Sequence, residues 1–299
     1  MGDAAFELSQ QLAAAVEHAA ARVVGVLGRR RGPSSGVVWD DGLVVTAHHV
    51  LEWDEGIEVT LADGATAGAT LVGRDPTTDV ALLRVAAAGL APAHWADAPP
   101  RVGHLALGLS RARGLRAGQG IVTAVGGPWR TAAGGLIDRL VETDVGPYPG
   151  FSGGLLIDTA GAGLGLNTAG LLRGAGVAVP PATLQRVVAA LLEHGQVRRG
   201  FLGVGTMPVR LEAAASAAAG QAGGLMITSV QPGGPAEQAG VLLGDVLLAF
   251  DGHATTSPRD LVARLDHDRV GHPATLRFLR AGQPLELDVT VGSRDRSAS

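Results

Sequence analysis

From Val23 onward the chain is written in short apolar runs. Stretches of about four to eight aliphatic and β-branched residues are each cut off by glycine, aspartate or proline. "RVVGVLG", "SGVVWDDGLVVTA", "IEVTLADG", "TLVGRD", "VALLRVA", "HLALGL", "GIVTAVGG", "LIDRLVETD", "GGLLIDTAGAGLGLNTAG" and "GVAVP" each predict one strand or a hairpin. Asp41-Gly42 and Asp63-Gly64 are residue pairs suited to hairpin turns. Strands so short and so numerous predict antiparallel barrels or sandwiches rather than a parallel sheet. Two helices frame them. The Ala-rich residues 4–21 place Phe6, Leu12, Val16 and Ala19 at roughly helical spacing, and Pro180-Pro181 opens a second helix, "PATLQRVVAALLEHG", that Gly195 closes.

The pattern changes near Gly200. A strand "GGLMITSVQ", a loop "PGGPAEQAG", a strand "DVLLAFDG", a helix "SPRDLVARLDH" and strands "ATLRFLRAG" and "PLELDVTVG" follow. Ser257-Pro258 supplies the cap and first residue of that helix. The tail "SRDRSAS" is expected to be loose. The reading is therefore of two domains, 1–199 and 200–299, mainly β in the first and of mixed α and β structure in the second.

Composition narrows the chemistry. The 299 residues are 46% hydrophobic and 17% charged, enough apolar content for a sizeable core and too much for disorder. The 45 glycines fit a chain of many tight turns. There is no cysteine, which excludes disulfides, thiolate metal sites and a cysteine nucleophile. A net charge of −4 without a basic stripe argues against nucleic acid as a partner. No apolar run reaches the ~18 residues of a membrane helix. The N-terminal segment lacks a basic region before an apolar core, so it does not read as a signal peptide. The expectation is a protein inside the cell, or one of the cell envelope or periplasm whose leader has been removed.

Three polar groups stand out against this apolar background. "PYPGFSGG" sets Ser152 in a glycine-rich bend, where backbone N–H groups can converge beside a hydroxyl. Taken alone, the motif fits a plain turn serine as well as a nucleophile. "VVTAHHV" ends a strand in a turn bearing His48 and His49, either of which is a candidate base. Adjacent histidines in extended chain face opposite ways and no third ligand accompanies them, so a metal pair is the weaker reading. "GRDPTTDVALLRV" carries Asp75, placed to cap a turn, and Asp79 at the head of an apolar strand, where an acid is unusual without a partner.

The order His, Asp, Ser along many short strands, with "TAHHV", "DPTTDVALLRV" and "PGFSGG", resembles the HtrA (DegP/Deg) branch of trypsin-like serine proteases. "RRGFLGVG" and "GGPAEQAGVLLGDVLLAFDG" resemble the family's PDZ domain. The resemblance runs from about Leu12 to Val291. It implies a trypsin-like double β-barrel followed by a PDZ domain. It also implies a catalytic set of His49, Asp79 and Ser152, with an oxyanion hole from the Gly150 and Ser152 amides. Asn167, Thr168 and Ala169 are expected to line the substrate cleft and to favour a small aliphatic residue before the cut. Phe201, Leu202, Gly203 and Val204 match a carboxylate-binding loop, with Leu261 and Leu265 nearby. The implied activity is ATP-independent endoproteolysis of unfolded or damaged proteins by a homotrimer, with no cofactor or metal. A peptide-binding chaperone with a misaligned triad, or a scaffold using its PDZ domain alone, is the competing reading.

The chain also departs from the family pattern. Tyr148 and Phe151 stand where the family has Asn, and Leu155 where it has Pro. "GRRRGPSSG" is short where many relatives carry a long regulatory loop, so control by that loop is not expected.

Overall fold

The computed structural model describes residues 2–146, 148–172, 174–265 and 269–293. The predicted tail after Ser293, which itself ends a short strand, and the end of the helix predicted at "SPRDLVARLDH" lie outside the described residues. The chain divides into two compact units, Met1–Val197 and Arg198–Ser299.

The first unit opens with helix α1 (Gly2–Ala20). Strands β1 (Val23–Leu27), β2 (Ser34–Asp40), β3 (Leu43–Ala47), β4 (Ile57–Thr60), β5 (Thr66–Asp75) and β6 (Val80–Val85) follow. They close into an antiparallel barrel in the order β1-β2-β3-β6-β5-β4, with β1 pairing β4 to complete the ring. Next come β7 (Leu105–Ser110), β8 (Arg116–Gly126), β9 (Trp129–Arg130), β10 (Leu136–Ile137), β11 (Leu140–Thr143), β12 (Leu155–Ile157), β13 (Gly163–Thr168) and β14 (Gly176–Val179). A second barrel closes as β11-β14-β13-β12-β7-β8, and β9 and β10 form a separate two-stranded ribbon. Helix α2 (Pro181–His194) ends at Gly195 in the left-handed conformation, φ 70°.

Strand periodicity explains why these runs read as continuously apolar. Alternate residues of a strand face opposite sides, and here both sides are buried. Val24, Val38, Val44, Ala81 and Leu83 fill the first barrel. Their neighbours Val23, Val37, Val45, Val80 and Leu82 face outward, into a core shared with Leu107, Leu109, Leu155 and Ile157 of the second barrel. Ala15 and Ala19 of α1 and Leu184, Val187, Val188 and Leu191 of α2 join the same cluster. The two barrels are thus sealed against each other by an apolar seam, and polar groups along its rim are held at fixed distances.

The second unit contains β15 (Gly200–Phe201), β16 (Val204–Arg210), α3 (Ala213–Ala219), β17 (Gly223–Val230) and α4 (Pro235–Gln238). β18 (Val246–Phe250), β19 (His253–Ala254), α5 (Pro258–Arg264), β20 (Pro273–Arg280), β21 (Gln283–Thr290) and β22 (Gly292–Ser293) complete it. Its main sheet runs β16-β17-β18-β20-β21, which leaves β16 at an edge. Ser257 and Asp260 cap α5 reciprocally. Phe250, Phe278, Leu225 and Leu276 form the centre of its core.

Two elements differ from the sequence reading. "LIDRLVETD" is not one strand or hairpin: β10 pairs with β9 while β11 enters the second barrel, and Asp138, between them, pairs with Arg186 of α2. Helix α3 has no counterpart in the prediction, because its alanines carry no apolar period to read.

Candidate active site

His49 lies in the 3₁₀ turn His48–Val50 that follows β3, and Asp79 immediately precedes β6, the strand paired with β3. The pairing brings the two side by side although they are 30 positions apart in the sequence. Asp79 has φ 58°, a left-handed conformation that few non-glycine residues adopt and that Asp tolerates better than most. One carboxylate oxygen accepts the His49 backbone N–H at 2.9 Å and the other meets ring Nδ1 at 2.8 Å. The Asp79 side chain is 6% exposed and the His49 side chain 36%. An ionised carboxylate on Nδ1 holds the ring proton there and leaves Nε2 as the basic nitrogen.

The second barrel adds a third contact to the carboxylate. Thr168, at the end of β13, donates its hydroxyl to the Asp79 oxygen that faces Nδ1. The same hydroxyl accepts the Gly170 N–H at 2.9 Å, which directs its own proton toward Asp79. Thr168 also lines the small cavity beside Ser152, so one residue joins that cavity to the Asp79 carboxylate.

His48 takes no part in this network through its ring. Its backbone N–H donates to the Asp79 carbonyl at 3.0 Å. Burial first, and then the Arg74 charge, hold its pKa below the ordinary imidazole value against the opposing pull of Asp79. Asp75 is buried and spent on its own turn, accepting from Thr77 N–H, Thr77 Oγ1 and Thr78 Oγ1 at 3.0, 2.6 and 2.7 Å. Among the described residues no group of three or more His, Asp or Glu side chains is placed to hold a metal.

Ser152 sits in the loop between β11 and β12. The Phe151, Gly153 and Gly154 amides are engaged by Tyr148, Asn167 and Phe151 carbonyls at 3.1, 2.8 and 2.9 Å. Those of Gly150 and Ser152 have no acceptor among the described residues. The loop is tied through its carbonyls to Ser34 and Ser35 of the first barrel and to Ser110 of the second. Ser35 Oγ and Ser110 Oγ donate to Gly150 O at 2.7 and 2.9 Å, and Ser34 Oγ donates to Ser152 O at 2.7 Å. With the carbonyls turned inward, the Gly150 and Ser152 N–H groups remain for a ligand. Gly153 is required here: its φ is 82°, and a Cβ would sit 2.1 Å from Ser35 O. Ser152 Oγ accepts the Ala169 N–H at 3.4 Å and has no hydrogen bond to the His49 ring. Catalytic hydrogen bonds of this kind are commonly long before substrate binds.

A cavity of about 20 Å³ opens beside the hydroxyl, lined by Val145, Gly146, Phe151, Asn167, Ala169 and Val177 among others. It has no charged wall. Phe151 is 6% exposed and packs edge-on against Tyr148, with ring centroids 5.6 Å apart, so two of the departures from the family pattern are in contact with each other. The roles of Ser34, Ser35 and Ser110 were not legible in the sequence. "SSG" gives no hint of partners more than a hundred positions away.

In the second unit, Gly203 has φ 78° and bends the chain between β15 and the edge strand β16, which starts at Val204. Leu202 and Leu261 are core residues, 2% and 5% exposed, while Val204 and Leu265 pack at the margin of that core and Phe201 is half-buried. The Leu202 and Gly203 carbonyls accept Ala236 and Gln231 N–H groups at 2.9 and 2.7 Å, which fixes the bend from within.

Comparison with known proteins agrees with this architecture. The family model described as "Trypsin-like peptidase domain" matches residues 34–166, and that described as "PDZ domain" matches 200–291. Curated relatives include a probable periplasmic serine endoprotease DegP-like from Brucella suis, 34% identical over 267 residues that make up 86% of this chain and 52% of the relative. A protein of the same description from Chlamydia trachomatis is 34% identical over 263 residues, 85% of this chain and 52% of the relative. The chain thus spans about half the length of the curated relatives it matches. Among solved structures, the serine endoprotease from Yersinia pestis is 30% identical with a TM-score of 0.75, covering 94% of this chain and 97% of that one. HtrA-type protease AlgW with tripeptide is 31% identical with a TM-score of 0.73, covering 95% and 97%. Two closed six-stranded barrels, a PDZ unit following them in the chain, and relatives of this identity and coverage agree: the chain belongs to the HtrA family of trypsin-like serine proteases with a PDZ domain.

Proposed function

We propose that this chain is a serine endopeptidase acting on unfolded or damaged proteins. The observation that carries the reading is the Asp79 carboxylate, held by the His49 amide, the His49 ring and the Thr168 hydroxyl at the barrel seam beside Ser152. In the proposed mechanism His49 Nε2 takes the Ser152 proton as Oγ attacks the scissile carbonyl. The resulting oxyanion is met by the Gly150 and Ser152 amides, and Asp79 stabilises the imidazolium. His49 then protonates the leaving amine, and water attacks the acyl-enzyme by the same route in reverse. Every group this chemistry requires is a side chain or amide of the chain itself.

Asn167, Thr168 and Ala169 form part of the cleft wall, and the uncharged 20 Å³ cavity supports a small aliphatic residue before the cut. The Phe201–Val204 segment is read as a loop that receives a peptide carboxylate, with the free edge of β16 accepting an extended chain. Assembly as a homotrimer rests on α1, whose Phe6 is 63% exposed. The names of the curated relatives favour the periplasm. Incubation with unfolded casein beside a Ser152→Ala variant tests the reading. The parent should cleave and the variant should not, with a loss on the order of 10³-fold or more. An organophosphorus inhibitor should label Ser152 alone. Cleavage undiminished in the variant refutes the assignment.

A further inference from the structure

A second and much larger cleft shares a wall with the small cavity beside Ser152. It encloses about 680 Å³, and its lining includes Gly150, Phe151, Arg29, Arg31, Arg113 and Arg116. No carboxylate lines it among the described residues. The four arginines come from two hairpin loops, one between β1 and β2 and one at the turn from β7 into β8. None of them takes part in an ion pair among the described residues. Arg31, Arg113 and Arg116 are exposed, and Arg29 is half-buried with Nε on Gly32 O at 3.1 Å. The neighbouring Arg111 shows the contrast. Its guanidinium is spent on the Val23 and Ala20 carbonyls, both at 2.6 Å, and is a structural cross-link. Four unneutralised cations in one concavity, on a chain whose net charge is −4, make a local field opposite to that of the molecule.

The position of the cleft fixes what enters it. Phe151 is common to both cavities, with Ser152, Asn167 and Val177 on one side and Gly150 on the other. A peptide with its scissile carbonyl at the Gly150 and Ser152 amides, and the residue before the cut in the small cavity, leaves past Gly150 into the arginine-lined space. Each extended residue advances about 3.3 Å. Long arginine side chains around such a space reach roughly the second to fourth residue after the cut.

We propose that this cleft is a carboxylate-binding subsite on the leaving-group side, taking an Asp or Glu side chain or a free C-terminal carboxylate two to four residues after the cut. The proposal rests on the endopeptidase reading and adds a specificity to it. Arginine forks suit carboxylates by geometry as well as charge.

The test uses the full chain and internally quenched peptides with Val before the cut. One set carries Glu, Gln or Lys at the second and third positions after it, with amidated ends. Another set has neutral residues there and ends at the third position as free acid or amide. We expect kcat/KM for Glu to exceed that for Gln by about tenfold at low salt, with Lys lower still. The advantage should shrink to about twofold or less near 0.5 M salt, where the screening length is roughly 4 Å. In the Arg113→Glu, Arg116→Glu double variant the order should invert toward Lys. A preference confined to the free-acid peptides assigns the site to chain termini, and one confined to Glu side chains assigns it to internal acids. Rates for Glu, Gln and Lys within twofold of one another at low salt, together with equal rates for acid and amide ends, overturn the proposal. So does an acidic preference that survives charge reversal. Failure of the endopeptidase reading looks different, because then no peptide is cleaved. The subsite is in that case read by fluorescence anisotropy of labelled Glu and Gln peptides on the Ser152→Ala protein, where equal affinities reject it.

Discussion

Gly170 offers a sharp test of how the acid and base are held. A Cβ built on it lies 2.7 Å from Asp79 Oδ2 and 2.9 Å from His49 Nδ1, closer to both than real contacts allow. The residue is exposed and its φ is not in the left-handed region, so Gly170→Ala imposes no backbone strain and removes no core contact. The methyl group acts on one thing, the 2.8 Å contact between ring and carboxylate. To admit it, one partner must move by several tenths of an ångström. A charge-assisted hydrogen bond of this kind is worth about 1.5–3 kcal/mol. At 1.36 kcal/mol per decade this is roughly a 10- to 200-fold loss in kcat. The ceiling is the ~10⁴-fold loss known when a serine protease acid can no longer hold the imidazole tautomer. KM should change little, since the substrate does not touch this bond. The assay is steady-state cleavage of a quenched peptide, normalised by active-site titration and accompanied by a melting curve. Gly127→Ala is the control, because its Cβ meets nothing within 4 Å. Activity within twofold of the parent, with an unchanged melting temperature, would refute the claim that the His49–Asp79 contact positions the base.

Ser35→Ala removes the 2.7 Å bond to Gly150 O and leaves that carbonyl to Ser110; kcat should fall and stability should drop by about 1–2 kcal/mol, read by kinetics and denaturant titration together, and unchanged kcat would count against the loop tether. Peptide mapping of casein digests should show Val, Ala or Leu before most cuts, given the 20 Å³ uncharged cavity, and a majority of Arg or Lys would sink that expectation. In the second unit, burial pushes the Asp245 carboxyl up, but hydrogen bonds from Arg280 and the Leu242 amide, with the Arg280 charge, outweigh it and hold its pKa below the ordinary value. A depressed acid contributes stability that is full above the unfolded value near 3.9 and is lost as pH falls through the folded one. Hydrogen-exchange protection of the β18 amides, corrected for intrinsic rate, should therefore weaken below pH ~4 in the parent, whereas Asp245→Asn should be weaker at neutral pH by about 1–3 kcal/mol and flatter toward acid.

The strands were legible because most are apolar runs, buried on both faces in β1, β3 and β6 and alternating in β4 and β21, and glycine or aspartate punctuates almost every one. Pairing across long separations was not. Nothing in "RVVGVLG" and "IEVTLADG" states that β1 and β4 meet to close a ring. The ribbon of Trp129–Arg130 and Leu136–Ile137 was missed because two-residue strands have no period. At the candidate site, the glycines around Ser152 announced a special bend, and Asp79 announced itself as an acid at the head of an apolar strand. Choosing His49 over His48 required the family resemblance, since only the fold distinguishes two adjacent rings. The second role of Thr168 and the tethers from Ser34 and Ser35 were invisible for a simpler reason: their partners lie 89 to 118 positions away.

The division of the proposed triad between the barrels bears on how such a chain survives its own synthesis. His49 and Asp79 belong to the first barrel, while Ser152 and the hydroxyl of Thr168 belong to the second. In the proposed mechanism a half-folded molecule owns the base without its nucleophile, or the nucleophile without its base. Under the proposed function, neither half is equipped to digest its unfolded siblings. The proposed cleaving power needs the apolar seam closed and the carbonyls around Ser152 held by Ser34 and Ser35. Under the proposed mechanism, a molecule that has not finished folding has no means to cut, and closing the seam between the barrels completes the tool and the fold in one event.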